Sequence, residues 1–280
     1  MKREYLLTGF ADEIDQDLNI QIENLQKLGM HYVEMRGVDG NNLIYHSDEK
    51  AKEIKERLDA AGIALSALGS PLGKIGIEDP FEKHFEEFKR AIEIAHKMET
   101  KNIRMFSFYI PEEKNHASYR DEVLRRTEQM VKLAASKKVI LLHENEKGIY
   151  GDMAERCLDL MKNFYGGNYK CTFDFANFVQ CGQDTMEAYE MLAPYIEYVH
   201  VKDALFETGE VVPGGMGDGK LREIFEKLDG RGYQGYLSLE PHLADFAGLK
   251  DLEPDAKERG RSDGEVAFNQ AYQALINVLK

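Results

Sequence analysis

The chain has 280 residues, of which 43% are hydrophobic and 31% are charged. This composition is typical of a folded globular protein with a sizeable core, and it excludes a disordered chain. The formal net charge of −14 gives the protein a field that repels phosphate backbones and anionic lipid surfaces, so we expect neither nucleic acid nor a membrane as a partner.

Short apolar runs alternate with longer amphipathic runs along the chain. The short runs are about five residues long and predict strands. In chain order they are YLLTGF, YVEMRG, ALSALGSP, NIRMFSFYI, VILLHEN, YKCTFDFANF, EYVHVKDA and GYLSLEPH. The runs between them, such as DLNIQIENLQKLG and PFEKHFEEFKRAIEIAHKM, repeat apolar residues three and four apart and predict helices. Gly29 and Gly62 follow such runs as stop signals, and Asp79 with Pro80 is expected to open the third helix.

Eight alternations of strand and helix without a break in composition predict a parallel sheet, and eight strands are the number that closes a barrel. We therefore predict an α/β fold, a single-domain (β/α)8 TIM barrel that spans residues 1–280. A doubly wound open sheet is the alternative. The segment GFADEI follows the first strand where a dinucleotide-binding fold would carry G-x-G-x-x-G, which disfavours that version of the open sheet.

A long charged segment at residues 241–264 interrupts the alternation after the eighth strand. Loops of this length are often lids or contact surfaces. A solvated insertion without a role explains the composition equally well. The segment is also the place where a homo-oligomer would find an interface, by analogy with other barrels.

The amino terminus, MKREYLLTGF, becomes polar too soon for a signal peptide, and no apolar run approaches the roughly 20 residues of a membrane span. The chain has three cysteines, Cys157, Cys171 and Cys181, without the paired spacing of a metal site. An odd number of cysteines is typical of reduced thiols. We therefore expect a cytoplasmic protein.

Side chains in a strand alternate between its two faces, which sorts the residues of YVHVKD. Val199 and Val201 share one face, which is suited to packing against outer helices, whereas Tyr198, His200 and Lys202 share the face that looks into the lumen of a barrel. The same alternation separates Thr172 and Asp174 from the apolar residues of the sixth strand, and Ser238 and Glu240 from those of the eighth.

Four luminal residues at the ends of consecutive strands form a candidate metal site: Glu144, Asp174, His200 and Glu240. Each of them alone reads as a buried charge satisfied by hydrogen bonds. Three carboxylates brought together without a cation would repel one another and take up protons, so the set predicts a divalent metal. Three oxygen donors and one imidazole favour Mn²⁺ or Mg²⁺, with Co²⁺ and Zn²⁺ as alternatives. His143 faces away from the lumen and is interpreted as a structural histidine.

The motifs LLHENE, FDFANF, HVKD and SLEPH, in this order and spacing, resemble the xylose isomerase-like barrel superfamily. The branch they resemble is that of the sugar and sugar-phosphate isomerases and epimerases, including the ketose 3-epimerases. The resemblance implies one metal held by Glu144, Asp174, His200 and Glu240, with a small-molecule carbohydrate as substrate.

In that family the metal binds a carbonyl oxygen and an adjacent hydroxyl of the sugar, which acidifies the C–H beside the carbonyl and stabilises an enediolate. The resemblance therefore implies that Glu144 and Glu240 serve as the catalytic acid and base. The product is an epimer or an aldose–ketose isomer, and the sequence does not choose between them. A lyase such as an inosose dehydratase is the alternative function, and a non-catalytic sugar-binding barrel is a third hypothesis.

Other luminal residues are candidates for binding the substrate. Glu34 and Arg36 share a face at the end of the second strand, where Arg36 would hold a carboxylate or phosphate, or the two would form an internal salt bridge. Lys202 would contact a substrate oxygen or pair with Glu144 or Glu240. Asn177 stands where the resembling epimerases offer a histidine to the sugar, and the three-zinc endonuclease IV branch also has a histidine there, so that branch is disfavoured.

Asp203 and the glycine-rich segment PGGMGDG follow the seventh strand. Asp203 is expected to orient His200 or to cap the loop, as carboxylates behind a metal ligand do. The glycines permit backbone N–H groups to approach an anion, and barrels often bind phosphate near this loop. A tight connection to the next helix explains the glycines just as well.

Overall fold

The computed structural model describes residues 5–245, 249 and 264–280. Eight parallel strands form one sheet around a central lumen. The strands are β1 (Leu6–Gly9), β2 (Tyr32–Met35), β3 (Ala64–Leu68), β4 (Asn102–Met105), β5 (Ile140–Glu144), β6 (Tyr169–Asp174), β7 (Ile196–Val201) and β8 (Tyr236–Leu239). Each of the eight predicted strands is present.

The strands pair in the order β1, β8, β7, β6, β5, β4, β3 and β2. The two ends of this order meet where Phe10, just after β1, forms a parallel bridge with Glu34 of β2. The barrel therefore closes nearly completely, as predicted, and the open doubly wound sheet is excluded. All eight carboxyl ends point to the same mouth, where barrel enzymes carry their active sites.

Helices connect the strands on the outside of the barrel. Those in the described residues are α1 (Leu18–Lys27), α2 (Asp48–Ala60), α3 (Phe81–Lys97), α4 (Arg120–Lys137), α5 (Ala154–Phe164), α6 (Phe175–Gln180), α7 (Thr185–Leu192), α8 (Leu221–Gly230) and α9 (Gly264–Val278). Gly29 and Gly62 adopt positive φ angles of +68° and +70° just after α1 and α2, as their role as stop signals requires. The prediction for the third helix was wrong in detail, because Pro80 is its N-cap residue and Asp79 accepts a hydrogen bond from the Gly76 N–H instead.

Two separate apolar clusters lie on the two faces of the sheet. Val199 and Leu237 belong to the large core between the sheet and the helices. Tyr198, Leu142 and Ala67 form a small cluster inside the lumen. The predicted alternation of faces is thus confirmed, and it explains why polar residues two positions along the same strands also point inward.

A neutral hydrogen-bonded group fills the lumen beneath the mouth. Ser66 Oγ lies 2.8 Å from Thr8 Oγ1 and 2.8 Å from the Tyr198 hydroxyl, and all three residues are buried. Because Tyr198 precedes His200 by two residues in β7, this group lies one layer deeper than the candidate metal site. A packed, uncharged layer of the barrel interior therefore lies directly below the charged residues of the mouth.

Most of the predicted loop at residues 241–264 lies outside the described residues, which end at 245 and resume, apart from 249, at 264. The interpretation of this segment as a lid or interface stays a prediction. Cys157, Cys171 and Cys181 are free thiols. In the described part of the chain, every helix is too short or too polar to cross a bilayer.

Candidate metal centre and active site

The four predicted ligands converge at the mouth of the barrel. Glu144 and Asp174 are the last residues of β5 and β6, His200 lies near the end of β7, and Glu240 follows β8 directly. Each side chain is at most 2% exposed. One donor atom from each of the four lies within 4.8 Å of the donor atoms of the others, so the strand ends bring together what the sequence pattern placed on one face.

The spacing of the donor atoms matches a coordination shell. Nδ1 of His200 lies 3.0 Å from Glu144 Oε1, 3.6 Å from Glu240 Oε2 and 4.0 Å from Asp174 Oδ2. Ligands about 2.1 Å from an octahedral ion lie about 3.0 Å apart when adjacent and about 4.2 Å apart when opposite. His200 Nδ1 and Asp174 Oδ2 are buried and have no hydrogen-bond partner in the described part of the chain. Both atoms thus face the other candidate ligands without a well-formed hydrogen bond, which fits a divalent cation.

Asp174 divides its two carboxylate oxygens between the fold and the centre. It is the N-cap residue of α6, and its Oδ1 accepts a hydrogen bond from the Asn177 N–H at 2.7 Å. Asn145 continues the pairing of β5 with β6, because its side-chain oxygen accepts from the Asp174 N–H and its Nδ2 donates to the Asp174 carbonyl, both at 3.0 Å. Because these bonds fix Oδ1 and the backbone of Asp174, Oδ2 points toward the other three candidate ligands.

Asn177 also holds a second ligand. Its Nδ2 donates to Glu144 Oε1 at 3.3 Å and to the Asn145 carbonyl at 2.9 Å. The side chain is only 1% exposed. The predicted contact between Asn177 and the substrate stays a prediction, whereas its contact with Glu144 shows that it positions a candidate ligand.

Glu34 lies beneath the imidazole of His200. Its Oε2 is 3.0 Å from His200 Nε2 and accepts a hydrogen bond of 2.6 Å from the Ser238 hydroxyl. A carboxylate that accepts from Nε2–H fixes the tautomer and the orientation of the ring, so that Nδ1 faces the centre. The prediction that Asp203 orients His200 was wrong, since the carboxylate in that role comes from β2.

Arg36 forms a network with the carboxylates of Asp12, Glu13 and Glu240, and the alternative of an internal salt bridge with Glu34 stays a prediction. Its Nε donates to Asp12 Oδ2 at 2.8 Å and its Nη2 to Asp12 Oδ1 at 3.2 Å. Nη1 donates to Glu240 Oε1 at 3.2 Å. The two nitrogen atoms on Asp12 form a paired contact of the kind proposed for a substrate anion. The assignment of Glu34 and Arg36 as substrate-binding residues stays a prediction.

Two further cations approach the ligand carboxylates. Lys202 Nζ donates to Glu240 Oε2 at 3.3 Å and lies 3.5 Å from Asp174 Oδ2, so of the two predicted partners it pairs with Glu240. Arg104 of β4 donates from Nη1 to Glu144 Oε2 at 3.2 Å. Because both cations are buried, these contacts offset the mutual repulsion of the carboxylates.

A second cluster of possible ligands adjoins the first. Glu13, Glu240 and His242 each offer a donor atom within 4.8 Å of the others. The guanidinium of Arg36 already contacts this cluster, with Nη2 at 3.3 Å from Glu13 Oε1 and Nη1 on Glu240. A cationic side chain thus neutralises part of this cluster, as Lys202 and Arg104 do in the first.

The ionisable groups of the mouth have strongly shifted pKa values. Burial raises the pKa of Glu144, but the charges of His200 and Arg104 outweigh it and lower the value to about 2. Burial raises the pKa of Asp174 to about 7, against the opposing charge of Lys202. Burial lowers the pKa of His200, but Glu144 and Glu34 beside it raise the value well above its ordinary range. A metal at Nδ1 takes the place of a proton there, so metal binding releases protons.

Phe10 lies against two of the cations. The Cζ atoms of Arg36 and Arg104 lie 4.6 Å and 4.7 Å from the centroid of its ring. The edge of the same ring packs against the imidazole of His200, with centroids 5.2 Å apart. A fully buried aromatic ring at the closure of the barrel therefore contacts three of the charged or polar side chains of the mouth.

The loop after β7 binds an anion that the chain itself supplies. Asp203 Oδ2 accepts from the Gly215 and Gly217 N–H groups, and Oδ1 accepts from the Gly219 N–H, each at 2.9 Å. Oδ1 also accepts from the N–H of Ala204 at 2.9 Å. A Cβ atom on Gly217 would lie 2.5 Å from Asp203 Oδ1, and one on Gly219 would lie 2.7 Å from it. The glycines permit this contact, and the prediction that Asp203 caps the loop is confirmed. The N–H groups proposed for a phosphate are occupied.

Sequence reasoning missed several charged residues of the mouth: Asp12, Glu13, Arg104 and His242. Arg104 occupies a luminal position in β4 by the same alternation that identified the ligands, so its signal was present in the run NIRM. Asp12 and Glu13 lie in a short 3₁₀ helix after β1, where no periodic pattern assigns a face. His242 follows Glu240 by two residues in the motif SLEPH.

Comparison with known proteins gives concordant matches. A family model described as xylose isomerase-like TIM barrel matches residues 22–261. The chain is 22% identical over 259 residues to 3-dehydroshikimate dehydratase of Bacillus anthracis, which covers 89% of this chain and 90% of that protein.

Two solved structures resemble the whole chain. D-psicose 3-epimerase with D-tagatose from Clostridium cellulolyticum H10 has a TM-score of 0.73 at 17% identity, over 99% of this chain and 98% of that one. The IOLI protein with a binding zinc atom has a TM-score of 0.76 at 18% identity, over 100% of this chain and 98% of that one. At such identities these structures establish the shared fold, and a fold alone does not fix the reaction.

Proposed function

The chain belongs to the xylose isomerase-like TIM barrel family, and we propose that it is a divalent metal-dependent isomerase or epimerase of a sugar, keto-sugar or sugar phosphate. The observation that carries the proposal is the buried cluster of Glu144, Asp174, His200 and Glu240 at the mouth. Two of its donor atoms have no hydrogen-bond partner in the described residues. Three carboxylates and one imidazole suit Mn²⁺ or Mg²⁺, with Co²⁺ or Zn²⁺ as alternatives.

When bound, the cation acts as a Lewis acid that polarises the carbonyl of the substrate and stabilises charge on an enediolate. The protein side chains then transfer the proton. Glu144 on β5 and Glu240 after β8 approach from different sides, because β6 and β7 lie between their strands. The pKa of Glu240 lies well below its ordinary value, since Lys202 and His242 outweigh the effect of burial. Together with the lowered pKa of Glu144, this keeps both carboxylates ionised in the free protein, so that either can accept the proton from carbon. The proton returned to carbon comes from that carboxylate, or from the other one after it has taken up a proton from solvent.

Lys202 supports this proton transfer by its position. Its Nζ lies within 3.5 Å of both Glu240 and Asp174, so it is a cation close to the place where the enediolate charge develops. Such a donor stabilises the charged intermediate more than the neutral substrate. We infer that Lys202 contacts the oxygen of the substrate, with Asn177 holding Glu144 in place.

Exchange of substrate hydrogen with solvent tests the proposal directly. The protein is incubated in D₂O with Mn²⁺ and a panel of ketoses, keto acids and their phosphates, and the loss of the proton signal beside the carbonyl is followed by NMR. We expect metal-dependent exchange that stops with EDTA and returns when Mn²⁺ is restored. Complete absence of exchange across the panel with metal-loaded protein would reject the proposal.

A lyase is the second candidate function, and the match to 3-dehydroshikimate dehydratase over 89% of the chain supports it. Elimination shares the first step, because the same carboxylate removes the proton beside the carbonyl before a β-hydroxyl leaves as water. The products distinguish the two reactions. A new vinylic proton signal in the NMR spectrum identifies a lyase, whereas an epimer or an isomer keeps the composition of the substrate.

A further inference from the structure

Arg104 lies beside the candidate metal centre but uses only part of its donor set. It belongs to β4 and is 3% exposed. With the described residues its side chain makes one hydrogen bond, from Nη1 to Glu144 Oε2 at 3.2 Å, and the same nitrogen lies 3.8 Å from Glu240 Oε1. Nε is buried and finds no acceptor within the described part of the chain. An arginine has five N–H donors and no acceptor, so the edge formed by Nε and Nη2 is left for another group.

Aromatic rings fix the guanidinium of Arg104. Its Cζ lies 4.7 Å from the centroid of Phe10 and 5.0 Å from that of Phe106. The ring of Phe106 is itself covered by Lys74, whose Nζ is 4.4 Å from the ring centroid. A side chain in contact with two buried rings and bonded at one nitrogen keeps few rotamers. Its planar fork is therefore already oriented before any ligand arrives.

The lining beside Arg104 selects for an acceptor. Arg104 and Lys202 only donate hydrogen bonds, and the nearest carboxylates, Glu144, Asp174 and Glu240, are those assigned to the metal. A sugar hydroxyl would have to place its own proton on one of these carboxylates, in competition with the metal and with the cations that already contact them. A carboxylate has no proton to place and accepts from both cations, and its planar shape matches the guanidinium fork.

We propose that Arg104 is a substrate-binding residue that receives a carboxylate group, so that the substrate is an enolisable hydroxy-ketone bearing a carboxylate and not a neutral ketose. The proposal rests on the proposed function, because it places the carboxylate beside the carbonyl that the metal centre activates. A phosphate fits less well. The backbone N–H groups of the loop after β7 are bound to Asp203, so a phosphate would lack the donors that barrels often supply from this loop.

The test compares matched probes on the metal-loaded wild-type protein. 5-Keto-D-gluconate and 3-dehydroshikimate carry a carboxylate, D-fructose and D-tagatose are neutral, and D-fructose 6-phosphate carries a phosphate. Binding is measured by calorimetry with Mn²⁺ present, and proton exchange in D₂O is measured on the same compounds. We expect at least one carboxylate probe to bind more tightly than every neutral probe, by roughly 10- to 100-fold for a charge-assisted contact.

Two variants assign the preference to Arg104. Arg104→Met should reduce the ratio of carboxylate to neutral affinity to near one, and Arg104→Lys should restore part of it. The metal content of each variant is measured in parallel, because Arg104 also contacts Glu144. A matched control is Arg222→Met on α8, where the arginine is exposed and donates only to a backbone carbonyl. This variant should keep the wild-type ratio.

The outcomes separate the two proposals. Tighter binding or faster exchange of the neutral ketoses, or of the phosphate, overturns the role of Arg104 and leaves the metal-dependent isomerase standing. Equal loss of affinity for neutral and carboxylate probes in Arg104→Met also overturns it, because a merely structural arginine would act in that way. Binding of carboxylates that depends on Arg104, with no exchange on any probe, supports the receptor and rejects the isomerase.

Discussion

The layer behind β5 and the lumen in front of β7 each bury a histidine, and the two surroundings shift the pKa in opposite directions. His143 lies between the sheet and the helices, where neither ring nitrogen has a hydrogen-bond partner among the described residues, and burial lowers its pKa to about 4. His200 is equally buried, but Glu34 and Glu144 raise its pKa. Burial thus acts on both rings in the same way, and the neighbouring carboxylates decide the charge.

The comparison of His143 with His200 implies that function depends on the charged residues in the lumen. Replacement of Glu144 or Glu240, the proposed acid and base, should therefore have the largest effect. Glu240→Gln or Glu144→Gln keeps the size of the side chain but removes its capacity to accept a proton. We expect proton exchange to fall on the order of 10³-fold or more, with the fold retained by circular dichroism. Glu226→Gln on the exposed face of α8 is the matched control. Full activity in either luminal variant would remove the basis of the proposed mechanism.

The carboxylate beneath His200 offers a test of intermediate size. Glu34→Ala removes the acceptor at Nε2, so the imidazole loses its fixed tautomer, and we expect metal affinity to fall roughly 10- to 100-fold. Glu34→Gln retains an acceptor oxygen and should lose less. Competition with a chromophoric chelator measures the affinity without any substrate. Unchanged affinity in Glu34→Ala would show that the orientation of His200 is fixed by other contacts.

The histidine behind the sheet should instead affect stability against pH. Its pKa is about 4 in the folded chain against an ordinary value of 6.5, so between these values the unfolded chain binds a proton that the folded chain does not. The contribution of His143 to the free energy of unfolding therefore falls as the pH decreases, by about 2 kcal/mol between pH 7 and pH 5. His143→Asn should remove this part of the slope. Urea unfolding in EDTA at both pH values measures it, and an identical slope in the variant would contradict the pKa shift.

Asp203 is a third buried ionisable group, and backbone N–H groups stabilise its charge. Its replacement should have the smallest effect of the four. Asp203→Asn replaces one charged acceptor oxygen by a donor, which weakens the bonds from the Gly215, Gly217 and Gly219 N–H groups. We expect these amides to exchange hydrogen about tenfold faster, equivalent to about 1.4 kcal/mol. Hydrogen-exchange mass spectrometry of the loop measures the change. Protection equal to that of the wild type would mean that other contacts hold the loop.

Alternation along single strands made the candidate ligands visible in the sequence. Glu144, Asp174, His200 and Glu240 each belong to a strand whose apolar residues identify the opposite face. A parallel barrel then collects all carboxyl ends at one mouth. Local patterns and one fold rule were therefore sufficient to place four side chains that are distant in sequence.

The partners of those side chains were not visible in the same way. The sequence suggested Asp203, three residues from His200, as a carboxylate that could orient the imidazole. The carboxylate observed at Nε2 is that of Glu34, which is 166 residues away in the sequence. Arg36, just after β2, likewise pairs with Asp12 from the segment after β1. Such choices depend on the register and closure of the barrel, which no single segment encodes. The loop after β7 shows the same limit, because its glycines signalled an anion but not that the anion was Asp203.

The ring of Phe10 joins two properties of the molecule that are usually separate. Its backbone makes the bridge to Glu34 that completes the barrel, and its side chain packs against the guanidinium groups of Arg36 and Arg104. Any breathing of the barrel at this seam therefore alters the electric field felt at the mouth. One phenylalanine therefore links the closure of the barrel to the electrostatic environment of the candidate active site.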